Sequence, residues 1–278
     1  MIEPEVEGYV RVEGGRLWAE WAGEGSGVVL AHAGIADSRQ WDPQWDALIA
    51  RHRVVRYDLR GFGRAEVEHV RFSNREDLVA VMDAAGLERA VLVGCSRAGS
   101  IAVDTALEYP DRVSGVVHVC GGISGTDWDA TPEEEAAFAR GEALEEAKDW
   151  AAVAELEVQI WVDGVGQPAG RAPESVRELV RRMIYENNVQ EKPYGDTIVL
   201  DPPAVERLEQ LQVPVLVIQG LLDESGTIRS GRLLAERAPR ARLIELPDVA
   251  HMPSLERPEW FTETLLAFLA EVDAAPGA

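Results

Sequence analysis

Residues 92–100 read LVGCSRAGS. An apolar run stops at Gly94, Ser96 follows, and the small pair Ala98-Gly99 leads into a helix-like segment. Two readings compete. One is an ordinary strand-to-helix turn that carries a polar residue. The other is a nucleophile held on a tight turn. Attack on a carbonyl needs an exposed hydroxyl, a base to take its proton, and donors for the developing oxyanion. A sharp turn can present the hydroxyl, but its crowded backbone demands small residues two before and two after it. Gly94 and Ala98 meet that demand around Ser96. The pattern is G-x-S-x-G with Ala98 in place of the last glycine. The five residues alone leave both readings open.

Working outward, strand and helix signals alternate. Residues 8–21 alternate apolar and polar around Gly14-Gly15, a hairpin signal. The run GVVLA at 27–31 suits a strand buried on both faces. A helix is expected over 42–50, with Trp45, Leu48 and Ile49 on one side, then a strand over 53–58. Asn74 is expected to cap a helix reaching Ala85. Strand 90–93, helix 98–108 and strand 113–119 follow, and the alternation resumes with strand 214–219, helix 228–237, strand 241–245 and helix 259–272. Such alternation predicts a mostly parallel sheet with helices on both faces.

Between about 124 and 209 the pattern changes. Thr131-Pro132 starts a helix, further helical stretches cover 150–161 and 173–187, and 197–200 is the longest strand-like run. The expectation is an α/β core over 1–123 and 210–278, interrupted by a mainly helical insertion over 124–209. Residues 274–278 read as a frayed tail.

The chain has 278 residues, enough for such a core with an insertion. Its net charge of −22 repels phosphate backbones and anionic lipid, which argues against nucleic acid and membrane as partners. Two cysteines, Cys95 and Cys120, do not make a disulfide scaffold, and no zinc-type spacing appears. The opening MIEPEVEGYVRVEGG lacks the apolar core of a signal peptide. No apolar run reaches the roughly 18–20 residues of a bilayer span. A cytoplasmic protein is expected.

Downstream, VPVLVIQGLLDESG puts Asp223 just past a strand, and ELPDVAHMPSLERPEWF puts His251 in a loop before the last helix. In this order His251 would be general base and then acid, with Asp223 fixing its tautomer. With these motifs the chain resembles the α/β-hydrolase superfamily. VVLAHAG is similar to its oxyanion loop, YDLRGFGR to its Asp-x-Arg-Gly-x-Gly turn, and LVGCSRAG to its nucleophile elbow. The resemblance implies an eight-stranded, mostly parallel sheet, with 124–209 as a cap that shapes the pocket. It implies oxyanion donors in the backbone N–H groups of Gly34 and Arg97, with Ala33 a departure after His32. It implies no metal and no organic cofactor. The chain looks most like small-substrate esterases and enol-lactonases, to which WVDGVGQ at 161–167 contributes weakly.

Other residues carry a functional and a bland reading side by side. His32 is expected to hold its loop beside the pocket, His118 to sit in the core or the pocket, and His52 and His69 at the surface. Trp128, Trp150 and Trp161 suit either a pocket wall or the interior of the insertion. Cys95 occupies the variable elbow position and reads as a buried small residue. The Glu-rich run over 133–146 reads as a solvated helix face. Asp127 is the rival to Asp223, because some members of the superfamily carry the acid after the sixth strand. Three functions remain open. The first is serine hydrolysis of a small-molecule ester or lactone through an acyl-enzyme. The second uses the same triad on a carbon–carbon bond or with peroxide. The third is a non-catalytic binding module. Chain-length preference, oligomeric state and pathway are not written in any motif.

Overall fold

The hairpin expected at Gly14-Gly15 forms from β1 (Val6–Val12) and β2 (Gly15–Ala22), paired antiparallel in the computed structural model. The structure describes residues 5–275; residues 1–4 of the expected core and 276–278 of the expected tail lie outside the described residues. Further strands are β3 (Gly27–Ala31), β4 (Arg53–Tyr57), β5 (Glu66–Val67), β6 (Arg71–Phe72), β7 (Ala90–Cys95) and β8 (Val113–Val119). Then come β9 (Asp196–Thr197), β10 (Val215–Gly220) and β11 (Ala241–Leu246). The main sheet runs β1-β2-β4-β3-β7-β8-β10-β11, with the two-residue β5 added on β2. From β4 through β11 every pairing is parallel. The central strands β3, β7 and β10 are buried at every position, as expected when helices cover both faces.

The helices are α1 (Asp42–Ile49), α2 (Asn74–Ala84), α3 (Arg97–Glu108), α4 (Pro132–Glu146), α5 (Trp150–Glu157) and α6 (Glu174–Asn188). They continue with α7 (Ser225–Arg237), α8 (Pro253–Glu256) and α9 (Pro258–Asp273). Leu78, Val81, Val103, Leu107 and Leu234 from α2, α3 and α7 pack one face of the sheet. Trp45, Leu48, Phe261 and Phe268 from α1 and α9 pack the other. Val158, Val180, Met183 and Ile184 join this second cluster, so residues between β8 and β10 are continuous with the core.

Four local expectations need correction. The cap of α2 is Ser73, whose Oγ accepts the Glu76 N–H at 3.3 Å, and Asn74 is already helical. The run 197–200 yields only β9, because the chain pairs with β6 at two positions and then leaves; Val199 is 72% exposed. The helix over 150–161 is not uniform. α5 ends at Glu157 and continues as a wider π-helix over Val158–Gly164. Nor is the Glu-rich run wholly solvated. Glu134 is 4% exposed, and its carboxylate accepts the Thr131, Ser225 N–H and Ser225 O–H groups. That ties α4 to the segment just after Asp223.

Candidate active site

β7 ends at Cys95 and α3 begins at Arg97, so Ser96 alone makes the turn between them. Its backbone sits at φ 57° and ψ −119°, a region an L-residue occupies only when its surroundings enforce it. The Ser96 N–H donates to Val119 O on β8 at 2.9 Å, and its carbonyl accepts the Gly99 N–H at 2.9 Å. A Cβ at Gly94 would stand 2.1 Å from the Ala98 carbonyl oxygen, which explains the glycine two residues before the serine. Ala98 is fully buried, and its methyl is accommodated where the strict pattern has glycine. As the first residue of α3, Arg97 has no intrahelical acceptor for its N–H, and the helix dipole favours negative charge there.

Asp223 follows β10, and the Nδ1–H of His251 donates to both of its oxygens at 2.8 Å. The carboxylate also accepts the Glu224 N–H at 2.7 Å and Gln219 Nε2 at 3.3 Å. Nothing in the sequence pattern singled out Gln219; the available signal was one amide inside an otherwise apolar strand. A Cβ at Gly220 would meet Ala250 O at 2.0 Å, so glycine lets the acid and histidine loops pass. Asp127 is exposed, and the Glu224 carboxylate caps α7 through the Gly226 and Thr227 N–H groups. Neither faces the histidine. The histidine loop is held in turn: Glu256 accepts the Ala250 N–H at 2.9 Å and Arg171 Nη2 at 2.6 Å. His251 donates its own N–H to Trp161 O at 3.1 Å. That carbonyl lies near the end of the π-helix, where carbonyls lack intrahelical partners.

Gly34, Ser96, Arg97 and His251 line one cavity of about 310 Å³ together with Phe62, Trp161, Glu145, Glu157, Ile35, Ile184, Asn187 and Asn188. Its size suits a small molecule. The Trp161 ring lies 4.7 Å from the His251 ring, and its Nε1 donates to Glu157 at 2.7 Å. Burial pushes the Glu157 carboxyl above the ordinary carboxylate range. Phe62 is the variable residue of the YDLRGFGR turn, and Glu157 had no sequence motif to mark it. His32 is fully buried and is not among the residues lining the cavity: its Nδ1–H donates to Ala33 O at 2.7 Å and its Nε2 accepts the Leu59 N–H at 2.9 Å. Those partners fix one tautomer and tie two loops together. Trp128 is 37% exposed, donates to Ser230 Oγ at 2.8 Å and stands outside the lining.

His118 is fully buried and donates from Nε2 to Gly122 O at 3.1 Å; burial lowers it to about 4. His52 is a correction, since it is buried and its Nδ1 meets Ser26 Oγ at 2.9 Å. His69 is exposed, as expected. Cys95 is fully buried with its thiol pushed up to about 12, which fits a packing residue. The fold also brings Cys120 near Asp223 and His251, with ligand-type atoms within 4.8 Å. Burial raises that thiol well above its ordinary value and so favours S–H over the thiolate a metal needs. It is engaged as a donor to Ala250 O and as an acceptor of the Gly220 N–H. Among the described residues no helix is long and apolar enough to cross a membrane.

Comparison with known proteins agrees with this architecture. Residues 28–258 match the model of the alpha/beta hydrolase fold family. RutD of Caulobacter sp. (strain K31), named as a carbamate hydrolase, is 31% identical over 87% of this chain and 90% of its own. The enol-lactonase of Burkholderia xenovorans LB400 superposes with a TM-score of 0.74 at 27% identity, covering 95% of this chain and 100% of that one. Est816, described as an N-acyl homoserine lactone degrading enzyme, superposes with a TM-score of 0.71 at 27% identity over 94% of this chain and 100% of that one. The chain belongs to the α/β-hydrolase family and is a hydrolase of that fold.

Proposed function

We propose that this protein is a serine hydrolase that cleaves a small-molecule carboxylic ester or lactone, with Ser96, His251 and Asp223 as its triad. The Ser96 oxygen attacks the carbonyl carbon while His251 Nε2 takes its proton. Asp223 holds the Nδ1–H and stabilises the imidazolium. The backbone N–H groups of Gly34 and Arg97 bind the oxyanion. His251 then returns the proton to the departing alkoxide, leaving an acyl-serine. A water gives its proton to His251 and attacks that acyl group; the bond to Ser96 Oγ then breaks, His251 returns the proton to that oxygen, and the acid leaves. The observation that carries this reading is the His251–Asp223 bond at 2.8 Å beside a cavity that also holds Ser96 on a positive-φ turn.

Residues 124–209 act as the cap over this site. Support comes from Glu145, Glu157, Trp161, Ile184, Asn187 and Asn188, which all line the cavity from that segment. The likeness to an enol-lactonase and to a lactone-degrading enzyme favours esters and lactones. The likeness to RutD gives carbamate cleavage as the second reading, because the same attack on a carbonyl serves it.

The test is hydrolysis of p-nitrophenyl esters from acetate to decanoate, with simple lactones and an aryl carbamate, by wild type and Ser96→Ala. Labelling by a fluorophosphonate runs in parallel. Turnover that vanishes in the variant, with Ser96 labelled in the wild type, is expected. Turnover retained by Ser96→Ala, or folded protein that resists the probe, would overturn the assignment.

A further inference from the structure

Arg97 does more in this site than supply a backbone donor. Its guanidinium packs against two rings, with Cζ 5.4 Å from the Phe62 centroid and 5.1 Å from that of Tyr194. These rings come from the 60s turn and from the segment before β9, so they position the side chain from two sides. It also lies over the oxyanion loop: a Cβ at Gly34 would stand 3.5 Å from Arg97 Nε. Arg97 is one of the residues lining the cavity that holds Ser96, and its side chain is exposed.

Among the described residues, no carboxylate pairs with Arg97, and its guanidinium donates no hydrogen bond to the protein. Three arginines of the neighbouring loops are ion-paired. Arg39 pairs with Asp37 and Glu186, Arg64 with Asp58, and Arg60 with Asp77. Arg229 is likewise held over a ring, that of Trp128, without a carboxylate, but it donates to Asp129 O and Ser225, whereas the Arg97 guanidinium has neither kind of partner among the described residues. Contact with ring faces holds a guanidinium in place without neutralising it or using its N–H groups. Those N–H groups suit a planar, two-oxygen anion.

The rest of the cavity narrows where such an anion can go. Glu145 and Glu157 contribute to the lining near Trp161. Glu157 already takes the Trp161 N–H, and burial raises its carboxyl. That part of the wall disfavours a second carboxylate. Among the described residues that line the cavity, Arg97 is the one permanent cation.

We propose that the Arg97 guanidinium binds a carboxylate carried by the substrate, so that the site prefers half-esters or lactones of dicarboxylic acids over neutral esters. This rests on the reading of Ser96 as the nucleophile. The carboxylate stays intact; it orients the acyl group while the ester carbonyl meets Ser96. Arg97 then serves twice, through its N–H to the oxyanion and through its side chain as the specificity-determining group.

The test pairs monomethyl glutarate with the methyl ester of glutaric monoamide, which has the same shape without the charge. Wild type is expected to favour the acid in kcat/KM by roughly 10-fold or more, as charge-assisted hydrogen bonds allow. In Arg97→Met that ratio should fall by about 10–100-fold, mostly through KM, and Arg97→Lys should restore part of it. Calorimetry with glutarate on Ser96→Ala, and on Ser96→Ala combined with Arg97→Met, reads the same contact without turnover. Binding that depends on Arg97 supports the proposal. Neutral and charged esters cleaved alike, or glutarate binding that ignores Arg97, overturns it while the hydrolase reading stands. If neither ester is cleaved and Ser96 resists the fluorophosphonate, the hydrolase reading falls, and glutarate binding still decides what Arg97 does.

Discussion

Ser96 pays for its position in backbone energy, and that cost can be measured apart from catalysis. Its φ of 57° with ψ of −119° is a conformation that glycine adopts freely and that a Cβ disfavours. Residues held in sparsely populated regions store on the order of 1–3 kcal/mol. Two variants separate this strain from loss of the hydroxyl. Ser96→Ala keeps the Cβ and therefore keeps the strain. Ser96→Gly releases it, against about 0.5–1 kcal/mol for the greater freedom of glycine in the unfolded chain. The difference should favour Ser96→Gly by about 0.5–2 kcal/mol. At about 2–4 °C per kcal/mol that is a melting temperature higher by about 1–8 °C. Side-chain burial does not mask the effect, because Ser96 is partly exposed. The assay is thermal unfolding of the two purified variants at one pH, with no substrate present. At an ordinary strand or helix position the order would be reversed, with alanine the more stable. A Ser96→Ala protein that melts at or above Ser96→Gly would therefore show that the turn is not strained.

Other consequences follow from the site and its surroundings. Asp223→Asn should cut kcat by roughly 10⁴-fold by stabilising the wrong tautomer of His251, whereas Asp127→Asn should leave it near wild type; steady-state kinetics of both variants would expose an exchanged assignment. Asp104 on α3 is buried beside Ser124, and burial raises its carboxyl from 3.8 to about 6. Because the folded-state value lies above the unfolded one, the protonated acid adds stability below about pH 4, and that contribution is lost as pH rises toward 6. Asp104→Asn keeps an acceptor for Ser124 and should stabilise the protein by about 1–3 kcal/mol at pH 8, but little at pH 4. Denaturant titrations at the two pH values check this, and a variant no more stable than wild type at pH 8 would contradict it.

Much of the fold was legible because its signals are local. A buried parallel strand announces itself as a short apolar run, and GVVLA at Gly27–Ala31 and AVLVGC at Ala90–Cys95 did so. Gly94, Ser96 and Ala98 marked their turn because sterics at a sharp bend act over neighbouring residues. The chain order of Ser96, Asp223 and His251 was likewise visible before any contact was known. Errors gathered where one residue or one turn decides, as with Ser73 in place of Asn74 at the start of α2. The π-helix over Val158–Gly164 has no periodic signature distinct from an α-helix at that length.

Tertiary structure decided the questions that depend on which distant segments meet. Asp223 rather than Asp127 faces His251 because β10 delivers it there, 28 positions away in sequence. His52 and Glu134 look solvated in sequence but are buried, since Ser26 and Ser225 satisfy them from other loops. In sequence Arg97 was marked only for its backbone N–H, as an oxyanion donor. Only the fold brings Phe62 and Tyr194 to its guanidinium, with no carboxylate paired to it among the described residues. The sequence by itself determined the alternation of elements and the residue types on the turns, because backbone sterics and hydrophobic periodicity act within a few residues. Pairing of charges, burial of polar groups and the lining of the cavity were decided by the fold, because each is a balance between desolvation and partners that only long-range packing supplies.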